Sequence, residues 1–181
     1  MYVLRGFEIR FGAPKSGSAP HGSSVRPQKM KAPNDFAAYY TKASTPLKIV
    51  NPLIEEFSLT RDVCASKYNH KLKDYWTVDD NALTKSWEDN CWMNPPFNRH
   101  LGTWVRKAHS ERHSGTKVCL FPVRANTKWW AEVCIDSEIR FINGEVNFND
   151  EPRGLWAAMC IMIFGEQAKV GTFSIIDYRS K

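Results

Sequence analysis

Long apolar runs are missing from this sequence. No stretch approaches the roughly eighteen apolar residues that a bilayer span needs, which excludes a membrane-spanning helix. The opening, MYVLRGFEIRFGAPKSG, is too polar for a secretory signal, so the expectation is a cytoplasmic protein. Cysteine is sparse and scattered: Cys64, Cys91, Cys119, Cys134 and Cys160 are odd in number, form no C-x-x-C pair and have no histidine at zinc-finger spacing. A disulfide framework and a metal site are therefore set aside in favour of reduced, mostly buried thiols.

What is there fits one compact domain. The chain has 181 residues, 43% hydrophobic and 13% aromatic, enough apolar surface to close a core. Its 25 basic and 19 acidic side chains leave a net charge of +6, compatible with a polyanionic partner. Residues 12–33, GAPKSGSAPHGSSVRPQKMKAP, combine Gly, Ser and Pro with basic groups and offer almost nothing to bury. Residues 1–33 are read as a flexible basic arm and residues 34–181 as the folded domain.

Within that domain the apolar period alternates between helix and strand. Residues 46–57 (PLKIVNPLIEEF) place six apolar side chains near one helical face, with Thr45 as cap, Pro46 in the first turn and Pro52 expected to end or kink the helix early. Short strands are expected over residues 59–65, 75–78 and 90–94, an amphipathic helix over 98–114 with Gly115 just past its end, and a doubly covered strand over 117–123. A short helix at 127–135 precedes strand-like EIRFI, EVNF, AAMCIMIF and TFSII. Of the paired Trp129 and Trp130, one is expected in the core and one on its rim. The pattern predicts an α/β fold with a mostly parallel sheet flanked by helices and an antiparallel C-terminal hairpin. Ligands of such sheets bind outside the carboxyl ends of the strands.

The segment best suited to chemistry is Asn94-Pro95-Pro96-Phe97, directly after the run CWM. Two prolines lock two successive dihedrals and remove two amide donors, leaving the Asn94 side chain and neighbouring carbonyls in a stiff turn. The Asn94 oxygen and the Pro95 carbonyl can accept hydrogen bonds from an exocyclic amino group while Phe97 stacks on a planar ring. No residue of the turn is a proton shuttle near neutrality. The same residues also make a rigid strand-to-helix turn with no ligand at all.

This turn resembles the motif of amino-group methyltransferases, written there as Asn or Asp, Pro, Pro and an aromatic. The residues from DVCASKYNHKLKDYW through NCWMNPPFNRHLGTW, LFPVRANTKWW, EIRFINGEVNF and AAMCIMIF resemble successive blocks of the phage DNA N-6-adenine-methyltransferase family, across about two thirds of the chain. The resemblance implies a single, reduced Rossmann-like methyltransferase domain acting on double-stranded DNA, with S-adenosylmethionine as methyl donor, in the host cytoplasm if the gene is phage-borne. It implies that Asn94 and Pro95 hold the adenine N6 amino group, with Pro96 stiffening the turn and Phe97 stacking on the flipped base. Asp62, Ala65 and one of Asp79 and Asp80 would serve the donor, and Thr45 would close its methionine end. A restriction-modification role belongs to the same expectation.

The glycine-rich donor loop of such enzymes is absent, so close approach to the donor falls to the small side chains of Ala65 and Ser66. Positive side chains near the motif are Arg99, His100, Arg106, Lys107, Arg112, Lys117, Arg124 and Lys128. Arg99, Arg124 and Lys128 are the ones expected to track DNA phosphates. Two other readings stay open: methylation of another planar substrate, such as an RNA adenine or a protein glutamine, and a non-catalytic DNA-binding protein that has kept the fold and lost the donor site.

Overall fold

The computed structural model describes residues 44–150 and 157–178. The basic arm lies outside the described residues. The chain runs as α1 (Leu47–Phe57), β1 (Arg61–Asp62), β2 (Asp74–Tyr75), β3 (Cys91–Met93), α2 (Leu101–Ser110), β4 (Lys117–Pro122), α3 (Lys128–Val133), β5 (Glu138–Asn143), β6 (Met159–Phe164) and β7 (Phe173–Asp177). Among the described residues these strands form one seven-stranded sheet in the order β2-β1-β3-β4-β6-β5-β7.

The pairs β1–β2, β1–β3, β3–β4 and β5–β7 are parallel, while β6 runs antiparallel to both β4 and β5. The sheet is thus mostly parallel, as its pattern predicts, and its antiparallel part is β6, which pairs with both β4 and β5, while the last strand β7 runs parallel to β5. No helix among the described residues is long and apolar enough to cross a membrane.

Both faces of the central strands are covered, and the side chains of β3, β4 and β6 divide between two cores. Cys91, Met93, Cys119, Phe121, Cys160, Met162 and Phe164 pack with Leu101, Val105 and Ala108 of α2 and with Trp130 and Val133 of α3. Trp92, Val118, Leu120, Ile161 and Ile163 pack with Ile49, Val50, Leu53 and Phe57 of α1 on the other side. Every residue of β4 and β6 is buried. A strand covered on both sides has no polar face, which explains its unbroken apolar run.

Gly102 lets α2 and α3 meet: a Cβ there would stand 2.6 Å from Trp129 Cδ1. Trp130 is buried and Trp129 half-buried, the division expected for the pair.

Several expected elements differ. α1 passes through Pro52 and runs on to Phe57. An internal proline costs about 3 kcal/mol, but burying Leu53 and Phe57 beyond it returns roughly 1.5–3 kcal/mol each. Thr45 does not cap this helix: Pro46 occupies the cap position and no side chain bonds there. The strand expected at 75–78 is shortened to Asp74–Tyr75, because Val78–Asp80 coils into a 3₁₀ turn.

EVNF is not a regular strand either. Val146 and Phe148 are buried, but the backbone turns at Asn149, where φ is 61°, and Ser44 clasps it. Asn149 N–H donates to the Ser44 carbonyl at 3.0 Å, and Ser44 N–H donates to Asn149 Oδ1 at 2.7 Å. The clasp ties the start of α1 to the segment after β5.

Candidate active site

From β1 the sheet order steps outward to β2, whereas from β3 it steps the other way to β4. The carboxyl ends of β1 and β3 therefore flank a switch point, where parallel sheets open a crevice. Asp62 sits beside Trp92, and the Val63 N–H donates to the Trp92 carbonyl at 3.0 Å. The chain leaves β1 into residues 63–73 and leaves β3 into Asn94-Pro95-Pro96-Phe97. Between them lies a cavity of about 520 Å3, lined by Ala65, Ser66, Tyr68, Asp79, Asn94 and Trp104 among others. A cavity of that size suits a nucleoside-sized ligand.

Asn94 lines this cavity, with one end of its amide held and the other unpaired among the described residues. Its Nδ2 donates to Thr45 Oγ1 at 3.1 Å, and Thr45 is 2% exposed. Its Oδ1 is buried and has no hydrogen-bond partner among the described residues. An Asn oxygen ordinarily folds back onto the amide two residues ahead, but here that residue is Pro96, which has none. The diproline thus keeps the acceptor vacant. Leaving such a group unpaired costs about 1–3 kcal/mol, which a donor from a ligand would recover. Pro95 is buried, and Pro96 joins the lining.

The β1 loop is shaped by Asp62. Its carboxylate accepts from Cys64 N–H at 3.2 Å and from Lys71 N–H at 3.0 Å, and the residue is 2% exposed. Burial pushes its pKa up to about 6, against the lowering effect of the two backbone donors. Asp62 is not among the cavity-lining residues; it draws the loop closed behind Ala65. The same burial, with Asp62 beside it, pushes the Cys64 thiol far up.

The two candidate aspartates separate cleanly. Asp80 Oδ2 accepts from Thr77 N–H at 2.8 Å and from its hydroxyl at 3.0 Å, and these bonds hold its pKa below the usual carboxylate value. Asp80 caps the turn, while Asp79 lines the cavity.

Phe97 points elsewhere. Its ring meets Phe148 edge-on at 5.8 Å and packs against both cores, and it is not among the lining residues. The aromatic rings at the cavity are Tyr68 and Trp104. In the sequence Trp104 belongs to the apolar stripe of the amphipathic helix expected over 98–114, with Leu101, Val105 and Ala108, and Tyr68 carries no local signal. The available signal was Trp104 at the border of that stripe, on the helix that follows the turn.

Arg99, Arg124 and Lys128 are exposed, in the segments following the carboxyl ends of β3 and β4. Arg99 Nε donates to the neighbouring His100 Nε2 at 3.1 Å, and the remaining cations near the motif are engaged elsewhere. Arg106 pairs with Glu132 at 2.7 Å, Lys107 pairs with Glu111, and Arg112 donates to the His109 carbonyl at 2.9 Å. Lys117 cannot reach a phosphate: it is fully buried, and its Nζ donates to the carbonyls of Asp89 and Ser114 at 2.8 and 3.1 Å. It begins a central strand, so the fold takes it inside, and burial lowers its pKa.

The family model described as DNA N-6-adenine-methyltransferase (Dam) matches residues 39–175, well over half of the chain and the whole of this cavity. The chain belongs to that family. The curated DNA N-6-adenine-methyltransferase of Haemophilus phage HP1 (strain HP1c1) is 36% identical over 96 residues, which cover 46% of this chain and 55% of that protein. The chain thus spans about half the length of the curated relative it matches. Asn94 and its diproline sit inside the region that defines family membership.

Proposed function

We propose that this chain methylates the N6 amino group of adenine in double-stranded DNA, with S-adenosylmethionine as donor, on a Rossmann-like methyltransferase domain. The observation that carries the proposal is Asn94 Oδ1, a buried acceptor without a partner among the described residues, on a side chain that lines a nucleoside-sized cavity at the switch point of the sheet. The family supports the substrate class. The sheet order, with antiparallel β6 between β4 and β5, supports the fold.

The residues fit the donor. Ala65 and Ser66 have side chains small enough to let a ligand approach the loop, and the Asp79 carboxylate suits hydroxyl or ammonium hydrogens. When bound, S-adenosylmethionine supplies a methyl group on a positively charged sulfur. Asp62 keeps the donor loop in shape. Thr45 holds the nitrogen end of the Asn94 amide, so its oxygen accepts one N6 hydrogen while the Pro95 carbonyl takes the other. Both acceptors stabilise positive charge developing on the attacking nitrogen and aim its lone pair, so catalysis rests on positioning and electrostatics rather than on a strong base. Pro96 keeps the turn stiff, Phe97 braces it against Phe148, and Trp104 offers a flat wall. Arg99, Arg124 and Lys128 supply cations for the DNA backbone.

The test is incubation of the protein with S-adenosylmethionine and duplex DNA, RNA or protein, followed by nucleoside and amino-acid analysis. N6-methyladenine in duplex DNA is expected. Methyl groups appearing only in RNA or on glutamine, or donor binding with no transfer at all, would overturn the proposal.

A further inference from the structure

The loop at residues 65–73, ASKYNHKLK, carries Lys67, His70, Lys71 and Lys73 and contains no Asp or Glu. It forms one lip of the cavity that Asn94 faces. Near its tip, Tyr68 is 76% exposed, and the Lys67 ammonium lies 4.9 Å from the centre of its ring. A tyrosine this exposed adds little to the core, and an aromatic ring beside a cation invites a planar, negatively charged partner.

The loop beneath it is firmly built. Asn69 Oδ1 accepts from the Ser66 N–H at 2.7 Å and from its hydroxyl at 2.9 Å. Ala65 N–H donates to the Trp76 carbonyl at 3.0 Å, and Asp62 holds Lys71 N–H. The His70 ring stacks on Tyr75 with centroids 4.3 Å apart, and Lys71 Nζ donates to Ser44 Oγ at 2.6 Å. The ring is therefore presented on a rigid platform, which lowers the entropy cost of engaging a partner.

We propose that the tip of this loop engages DNA, with Tyr68 stacking on the bases beside the extruded adenine and Lys67 contacting the backbone phosphate, while Ala65 and Ser66 at its base serve the donor. This deepens the methyltransferase reading and rests on it for the identity of the nucleic acid. An adenine that reaches Asn94 leaves the duplex and exposes the faces of its neighbours; a flat side chain at the rim covers them without regard to sequence. The ring belongs to the rim of the cavity and is 76% exposed, so most of it is open to a DNA partner.

The experiment is fluorescence anisotropy of a fluorescein-labelled, adenine-containing duplex titrated with the full chain, with calorimetry of S-adenosylmethionine binding in the absence of DNA. Tyr68→Ala is expected to weaken duplex binding about tenfold, a loss typical of one base–aromatic stack. Tyr68→Phe should keep it, and Tyr68→Ala should weaken duplex binding by a much larger factor than donor binding. Lys67→Ala should flatten the salt dependence of DNA binding by about one phosphate contact. Unchanged duplex affinity for Tyr68→Ala, or a loss of donor affinity in its place, would overturn the proposal. Failure of the methyltransferase reading would show separately, as duplex binding that depends on Tyr68 without N6 methylation.

Discussion

The Asn94 amide donates to the Thr45 hydroxyl at 3.1 Å across a sequence separation of 49 residues. The contact occupies the nitrogen end of the amide and leaves Oδ1 without a partner among the described residues. Next to it in the chain, Ser44 is clasped by Asn149 through two hydrogen bonds.

Thr45→Val keeps the shape and removes the acceptor, leaving Asn94 Nδ2 unpaired and the amide free to rotate. The expected result is a fall in kcat for methyl transfer of about tenfold, the scale of one buried hydrogen bond, with donor KM unchanged. Thr45→Ser restores the rate. Steady-state kinetics of the three proteins checks this.

Asp79 and Asp80 should part in behaviour. Asp79→Asn is expected to raise the donor Kd about tenfold with no change in Tm, since only its place on the cavity wall is altered. Asp80→Ala removes the cap from Val78–Asp80 and should lower Tm, with a smaller effect on donor binding. Calorimetric titration and thermal melts separate the two.

Much of this was legible beforehand. The diproline turn, the parallel sheet and the apolar strand β4 each have a local signature: two locked dihedrals, alternating elements, an unbroken apolar run. The partner of Asn94 did not. Thr45 before a proline reads as a helix cap, and its true contact is a side chain 49 residues away that no local pattern encodes. The assignment of Asp79 to the cavity and Asp80 to the cap required the direction in which one 3₁₀ turn coils. Lys117 looked like a surface cation because charge is visible in sequence and burial at the first residue of a central strand is not. Phe97 reads as a base-stacking ring from the motif, but Phe148, supplied by a distant segment, claims one edge of it.

Asp62 gives the chain a pH signature. The folded state holds its proton more tightly than an unfolded chain does, with a pKa of about 6 against 3.8. The stabilisation from this protonation is present below the lower value and is lost as pH rises through about 6, amounting to roughly 3 kcal/mol at 1.36 kcal/mol per pKa unit. The stability difference between the parent and Asp62→Asn should therefore shift against the parent between pH 4 and pH 7. Urea unfolding of both proteins across that range measures it; a difference independent of pH would contradict the assignment.

Gly102→Ala sets a Cβ against the Trp129 ring at 2.6 Å. Overpacking costs about 1–3 kcal/mol, while the helix gains up to about 1 kcal/mol from alanine. A net loss of about 1–2 kcal/mol is expected from denaturant midpoints. Trp129→Leu in the same background should recover part of it.

The central claim is that Asn94 Oδ1 receives the amine that is methylated. It is tested most directly by transfer of tritium from labelled S-adenosylmethionine to duplex DNA by the parent, Asn94→Ala and Asn94→Asp, with donor affinity measured alongside. The account predicts transfer to adenine N6 by the parent, none by Asn94→Ala despite parental donor binding, and partial retention by Asn94→Asp, which keeps an acceptor oxygen. Undiminished transfer by Asn94→Ala would contradict it.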